Sequence, residues 1–298
     1  MIDQHYISTL RKLLKSHAGT PQVFVLFLSG SLPGKALLHL RQLSLFSMIT
    51  RLPNNPLFSR AKHALTTTPF AGKSWFTEIR LICQLYSLPH PLELLTNPMD
   101  KNTFKRLVKS KVTDYWEIKL RQEAALLPSL AFFKPQFHSL TSPHPILWSP
   151  GANPHEVTKS VIQLKMLSGR YRVAVLTKHW SSNKSGLCPA PNCTSPETLE
   201  HLLVLCPHYS QLRAGIVRLW TSTPDPLLLQ IISRVVNSPP QELVQFILDP
   251  SVHPLLIALV QTQGLDTLRL AFHLTRTWCY SIHCERLKIV RRFRFDKD

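Results

Sequence analysis

The residues with the greatest capacity for chemistry fall in one short stretch, LCPAPNCTSPETLEHLLVLCPHYSQLR, from Leu187 to Arg213. It contains Cys188, Cys193, His201 and Cys206, spaced Cys-x4-Cys-x7-His-x4-Cys. Three thiolates and one imidazole are donors that zinc accepts in closed, four-coordinate tetrahedral sites. A closed shell leaves no position for a reactive water, so this set predicts a structural zinc ion that contributes folding energy and performs no reaction. The alternative is a cluster of buried thiols without a metal. The x4 gap is wider than the two-residue knuckle of many zinc modules and counts against the metal. His179 and His208 are spare nitrogen donors, read as surface histidines.

These ligands need elements to position them. Pro189, Pro191 and Asn192 predict an irregular loop for the first pair. Ser195 reads as an N-cap, with Pro196 at the first helical position and Glu197 in the first turn, so His201 is expected on a helix. On an ideal helix, residues five apart are separated by about 140°. The chain must therefore unwind near Cys206 for both ligands to face one ion, and Pro207 supplies the reason.

The rest of the chain reads as all-α, helical thumb- or linker-like segments followed by a small metal-stapled module embedded in helices. In GKALLHLRQLSLFSMITRLP, Leu37, Leu40, Leu43 or Ser44, and Met48 are expected to share a face, with a stop at Pro53. Trp75, Ile79, Ile82 and Tyr86 recur at helical spacing. In the segment beginning at Met99, Phe104, Leu107, Val108, Tyr115 and Ile118 form an apolar face opposite Lys105, Arg106 and Lys109. Residues 131–153 are proline-rich and aperiodic, a packed connector between a first region, 1–130, and a second, 154–298, that holds the metal element at 188–206. Asn153, Pro154 and Glu156 mark the next helix start, with Val157, Val161 and Leu164 as its apolar face and Gly169 at its end. Four further helices follow the cysteines. In the last segment Leu268, Phe272, Thr275, Cys279 and Ile282 share a face, which makes Cys279 a core residue.

Composition bounds the partners. With 44% hydrophobic and 17% charged residues the 298-residue chain can bury a core. Its 35 basic against 17 acidic residues give a formal charge of +18, which points to a polyanion such as RNA or DNA. The N-terminal residues carry charges where a secretion signal has an apolar run, and Val23–Leu28 (VFVLFL) is far shorter than the ~20 residues of a membrane helix. An intracellular protein, nuclear or cytoplasmic, is expected, in which clustered cysteines serve as metal ligands more often than as disulfides.

The stretch CPAPNC…PETLEHLLVLCP resembles the Cys/Cys/His/Cys element downstream of the polymerase in non-LTR (LINE-type) retrotransposon reverse transcriptases. LPGKALLHLRQLSLFSMITRLP, MLSGRYRVAVLTKHW and FHLTRTWCYSIHCERL are similar to its surroundings in that family. The polymerase itself is not implied. Its two-metal chemistry requires clustered carboxylates, whereas the eight aspartates here (Asp3, Asp100, Asp114, Asp225, Asp249, Asp266, Asp296, Asp298) are scattered and none are adjacent. The resemblance therefore implies a non-catalytic C-terminal region, with its polymerase domain upstream and outside this chain, that engages RNA or target DNA. Candidate contacts beside the metal loop are Arg170, Tyr171, Arg172, Lys178, Trp180 and Lys184, which mix cations for phosphate with aromatic rings for stacking. Arg291, Arg292 and Arg294 form a second basic patch. Two alternatives stand beside this reading: a helical protein-interaction module, and an endonuclease remnant for which Pro224-Asp225 would begin a motif that no correctly spaced second acid and lysine complete.

Overall fold

A computed structural model describes residues 2–67, 74–177 and 185–295, and all their side chains except Ile2, Gln263 and 291–295. Among the described residues every regular element is helical, and the sole β-type contact is one antiparallel bridge between Leu187 and Pro196. No single helix is long and apolar enough to cross a membrane.

Among the described residues seven helices precede the connector: α1 (Ile2–Leu13), α2 (Gln22–Ser29), α3 (Gly34–Thr50), α4 (Pro56–Thr67), α5 (Trp75–Leu85), α6 (Pro91–Thr96) and α7 (Lys101–Ala125). The apolar run Val23–Leu28 is the body of α2, buried at every position and packed on α7. On α5 the predicted face holds, with Ile79, Ile82 and Tyr86 in the core.

The predicted faces of α3 and α7 need correction. On α3 the buried positions include Ala36, His39, Leu43, Phe46 and Ile49, whereas Leu37 and Met48 are exposed. His39 displaces a leucine from the core because Tyr86 Oη lies 2.7 Å from its Nδ1 and satisfies it there. On α7 Trp116 is buried in place of Ile118, which is 57% exposed, and the Trp116 indole donates to the same Tyr86 oxygen at 3.0 Å. The cations Lys105, Arg106 and Lys109 lie on the exposed face, as expected.

The connector is packed. It contains α8 (Pro145–Trp148) and one 3-10 turn, Pro135–Phe137, and a glycine admits its close approach to the first region. Gly30, at φ +62°, has room for no side chain, since a Cβ would lie 2.3 Å from the Ser142 backbone. Gly169, at φ +65°, sits equally tightly against the Ser129 carbonyl.

Beyond it come α9 (Pro154–Leu167), α10 (Ala174–Thr177), α11 (Ser210–Thr221), α12 (Pro226–Val236), α13 (Pro240–Leu248), α14 (Pro254–Gln263) and α15 (Leu265–Phe295). Asn153 caps α9 as predicted, accepting from His155 N–H at 3.0 Å. Its buried side is Ser160, Gln163, Leu164 and Leu167, not the Val157–Val161 stripe, because α9 lies along α15 and meets it partly through polar groups. The Gln163 side-chain amide donates to Ile247 O at 2.8 Å and to Thr275 Oγ1 at 3.1 Å. Glu156 makes no bond back to its own cap. It receives Lys159 at 2.7 Å and reaches His273 and Arg276 on α15. All five residues of the predicted α15 face, Leu268, Phe272, Thr275, Cys279 and Ile282, are buried.

Candidate metal centre

The loop that carries the first two cysteines is a short antiparallel turn. Cys188 N–H donates to Ser195 O at 2.9 Å and Glu197 N–H to Gly186 O at 3.0 Å, so the chain doubles back across residues 186–197. At its tip Cys193 N–H donates to Ala190 O at 3.2 Å, with Pro191 second and Asn192, at φ +60°, third. Proline followed by a residue of positive φ is the pattern of a type II turn. That turn absorbs the wide x4 gap and brings the two sulfurs to one side.

The helix carrying His201 begins later than the sequence suggests. Ser195 and Pro196 belong to the antiparallel turn, and Thr198 is the cap: its Oγ1 accepts His201 N–H at 3.0 Å and its carbonyl accepts Leu202 N–H at 3.0 Å. His201–Leu205 then form a π-helical turn, closed by Cys206 N–H donating to His201 O at 2.7 Å. This wider turn resolves the five-residue spacing. A π-helix advances more slowly in angle per residue than an α-helix, so positions five apart come close to one face. The unwinding assigned to Pro207 occurs one turn earlier, and Pro207 then begins a 3-10 turn.

The four donor atoms of Cys188, Cys193, His201 and Cys206 all lie within 4.8 Å of one another. Cys188 Sγ and Cys206 Sγ are 3.8 Å apart, and Cys193 Sγ is 3.3 Å from His201 Nε2. A tetrahedral centre with metal–sulfur bonds of about 2.3 Å and metal–nitrogen bonds of about 2.0–2.1 Å has edges of roughly 3.8 Å and 3.5 Å. The residues fit a metal ion. Burial pushes the Cys188 thiol up to about 12 and raises Cys206 as well, so a bound cation would have to displace both protons. Burial lowers His201, which keeps its imidazole neutral for ligation. All six cysteines are free of disulfides, and Cys83 and Cys279 are isolated core thiols. His208 is exposed outside the cluster, and His179 lies outside the described residues.

Behind the loop is a feature that sequence reading missed. Glu197 is fully buried, with Oε1 receiving Arg286 Nε at 2.5 Å and Oε2 receiving Arg286 Nη2 at 2.8 Å and Ala174 N–H at 2.5 Å. It is a buried acid tying the metal loop to α10 and α15, not a solvated first-turn residue. Arg286 also lies over the Tyr171 ring, 5.6 Å from its centroid. Tyr171 is 7% exposed, and its hydroxyl lies 2.9 Å from His283 Nδ1. Its assignment as a base-stacking residue is corrected accordingly: both the ring face and the hydroxyl are occupied within the protein. Arg170 and Arg172 are exposed. Lys178, Trp180 and Lys184 lie outside the described residues, and Arg291, Arg292 and Arg294 belong to the last turns of α15.

A second group, His138, His144 and Asp249, brings three donor atoms within 4.8 Å. It is not a metal site of the same kind. His144 Nδ1 accepts Ile146 N–H at 3.1 Å, so Nε2 carries the ring proton and donates it to Asp249 Oδ2 at 3.2 Å. A neutral imidazole in that tautomer has no lone pair on Nε2 to give an ion. Comparison with protein-family models, curated proteins and solved structures returns no match to this chain.

Proposed function

We propose that this chain is a non-catalytic, nucleic-acid-binding protein whose Cys188, Cys193, His201 and Cys206 hold a structural zinc ion. The reading rests chiefly on the convergence of three sulfurs and one nitrogen at tetrahedral separations, in a site backed by core. Zinc held by four protein ligands supplies folding energy and offers no open coordination position. The formal charge of +18 supports a polyanionic partner. Arg172 supports the location, since it is exposed two residues before the Ala174 N–H that bonds Glu197 of the metal loop. Arg170 is exposed as well, and Lys178, Lys184, Arg291, Arg292 and Arg294 are further candidate cations by sequence alone, with Trp180 the remaining aromatic candidate. The resemblance of the cysteine segment to the C-terminal region of LINE-type reverse transcriptases agrees with this role and directs the choice of RNA as the first probe.

A helical protein-interaction module is the second reading. The exposed apolar side chains Leu37, Leu38, Leu45 and Met48 on α3 favour it.

One titration separates the two. Binding of a single-stranded RNA oligonucleotide is measured between 50 and 300 mM salt on zinc-loaded protein, with metal content determined in parallel. Nucleic-acid binding predicts a steep log–log slope that becomes shallower by about 0.7 for each phosphate contact removed, hence by about 1.4 in Arg170→Gln/Arg172→Gln. A weak, flat isotherm favours the protein-interaction module. Cys193→Ser is expected to lose stoichiometric zinc, and full retention would overturn the ligand assignment.

A further inference from the structure

Between the connector and the helices α14 and α15 lies a cleft of about 580 Å³, within the 300–1,000 Å³ range usual for small-molecule sites. Phe137, Trp148, Leu256, Ile257, Val260 and Leu268 supply much of its wall, and no lining residue is acidic. His138 lines it too and is 9% exposed.

The state of the His138 ring follows from its partners. Asp249 is fully buried and accepts four hydrogen bonds. Oδ1 takes Ser251 N–H at 3.2 Å and Ser251 Oγ at 2.5 Å, and Oδ2 takes His144 Nε2 at 3.2 Å and His138 Nε2 at 3.1 Å. An ionised carboxylate only accepts, so His138 Nε2 must carry the proton. In the neutral ring Nδ1 then holds a lone pair. Among the described residues no group donates to Nδ1, and Nδ1 is not among the sealed, partnerless buried atoms. The ring is held in place by Asp249 on one edge and by Phe133 stacked at 5.4 Å and 8° on its face. A fixed ring whose Nδ1 has no protein donor among the described residues therefore lines a largely apolar cleft with no acidic side chain in its wall. We propose that this cleft binds a planar, largely apolar small molecule that donates a ring N–H or O–H hydrogen to His138 Nδ1.

Two probes that differ only in the donor test this. 2-Naphthol carries an O–H, and 2-methoxynaphthalene has the same ring system without one. Each is titrated at pH 8 into the zinc-loaded 298-residue chain, and the carbon-13-resolved histidine ring signals are followed by NMR, with His138→Gln identifying the His138 signal. The expected result is a saturable shift of the His138 signal with 2-naphthol and at least tenfold weaker binding of the methyl ether. Ile257→Trp fills the cleft from α14 without touching the histidines, and also covers the case in which His138→Gln fails to fold. It should abolish the shift while leaving the His138 resonance in place. Equal affinity for the two probes, no saturable shift, or unchanged binding in Ile257→Trp would each overturn the proposal.

Discussion

At the scale of single residues, Glu197 separates what a sequence can and cannot display. The four candidate metal ligands are legible because their chemistry is carried by residue type and local spacing. Glu197 sits among them in PETLEH and looks like an ordinary first-turn acid, since its partner Arg286 is 89 positions away. Tyr171 shows the same limit: a basic-aromatic segment reads alike whether its ring faces solvent or lies under an arginine from α15. Removing one member of a buried ion pair costs about 3–5 kcal/mol, because the other charge stays buried and unpaired. Glu197→Gln is therefore expected to lower stability in urea unfolding by about that much. The double variant Glu197→Gln/Arg286→Met should recover much of the loss. If Glu197→Gln alone is neutral, the pair is not the clasp described here.

At the scale of elements, prolines, caps and glycines placed most helices close to where they form, with Asn153 and Gly169 in their expected roles. Faces were harder. Spacing offers several near-equivalent stripes on a leucine-rich helix, and the partner decides among them, as Tyr86 does by hydrogen-bonding both His39 and Trp116. The π-helical turn at His201–Leu205 was visible only as a conflict, two ligands five apart that must share a face. Its resolution depends on α15, whose Trp278 indole donates to Leu203 O at 3.1 Å within that wider turn. Trp278→Phe keeps an aromatic side chain but opens some space in the core and leaves this carbonyl without its donor, the latter alone costing about 1–3 kcal/mol when the group is buried. The expected outcome is a lower melting temperature, with faster amide exchange concentrated at residues 201–206. Uniform exchange rates would show that the indole N–H does not support the turn.

At the scale of the whole molecule, the connector is the part composition described least well. Proline content showed that it was irregular, but not that its His138 and His144 converge on Asp249, more than a hundred positions later. That junction predicts the acid response of the fold. Burial lowers His144 from its ordinary value of 6.5, so the native state keeps it neutral while the unfolded chain takes up a proton below that pH. The two histidines hold the Asp249 carboxyl far below its ordinary value of 3.8, against its burial. Both groups are lowered in the fold, so both contributions are complete at pH 7 and are lost as pH falls. The His144 contribution declines from about pH 6.5 downward, and that of Asp249 from about pH 4 downward. Urea midpoints at pH 7, 5 and 3.5 should fall in that order, and His144→Gln should flatten the first step. A midpoint that rises from pH 7 to 5 would contradict the junction.

The clasp between Glu197 and Arg286 also fixes an order of events at the ribosome. The cysteine loop leaves the exit tunnel well before α15 has been translated. During that interval its acid, its Leu203 carbonyl and the underside of its π-helical turn have no cover, even if an ion is already bound. The newborn loop must wait some eighty residues of synthesis for its lid. Chaperone capture and proteolytic sensitivity should therefore peak on nascent chains that already carry the cysteines but have not yet reached Arg286.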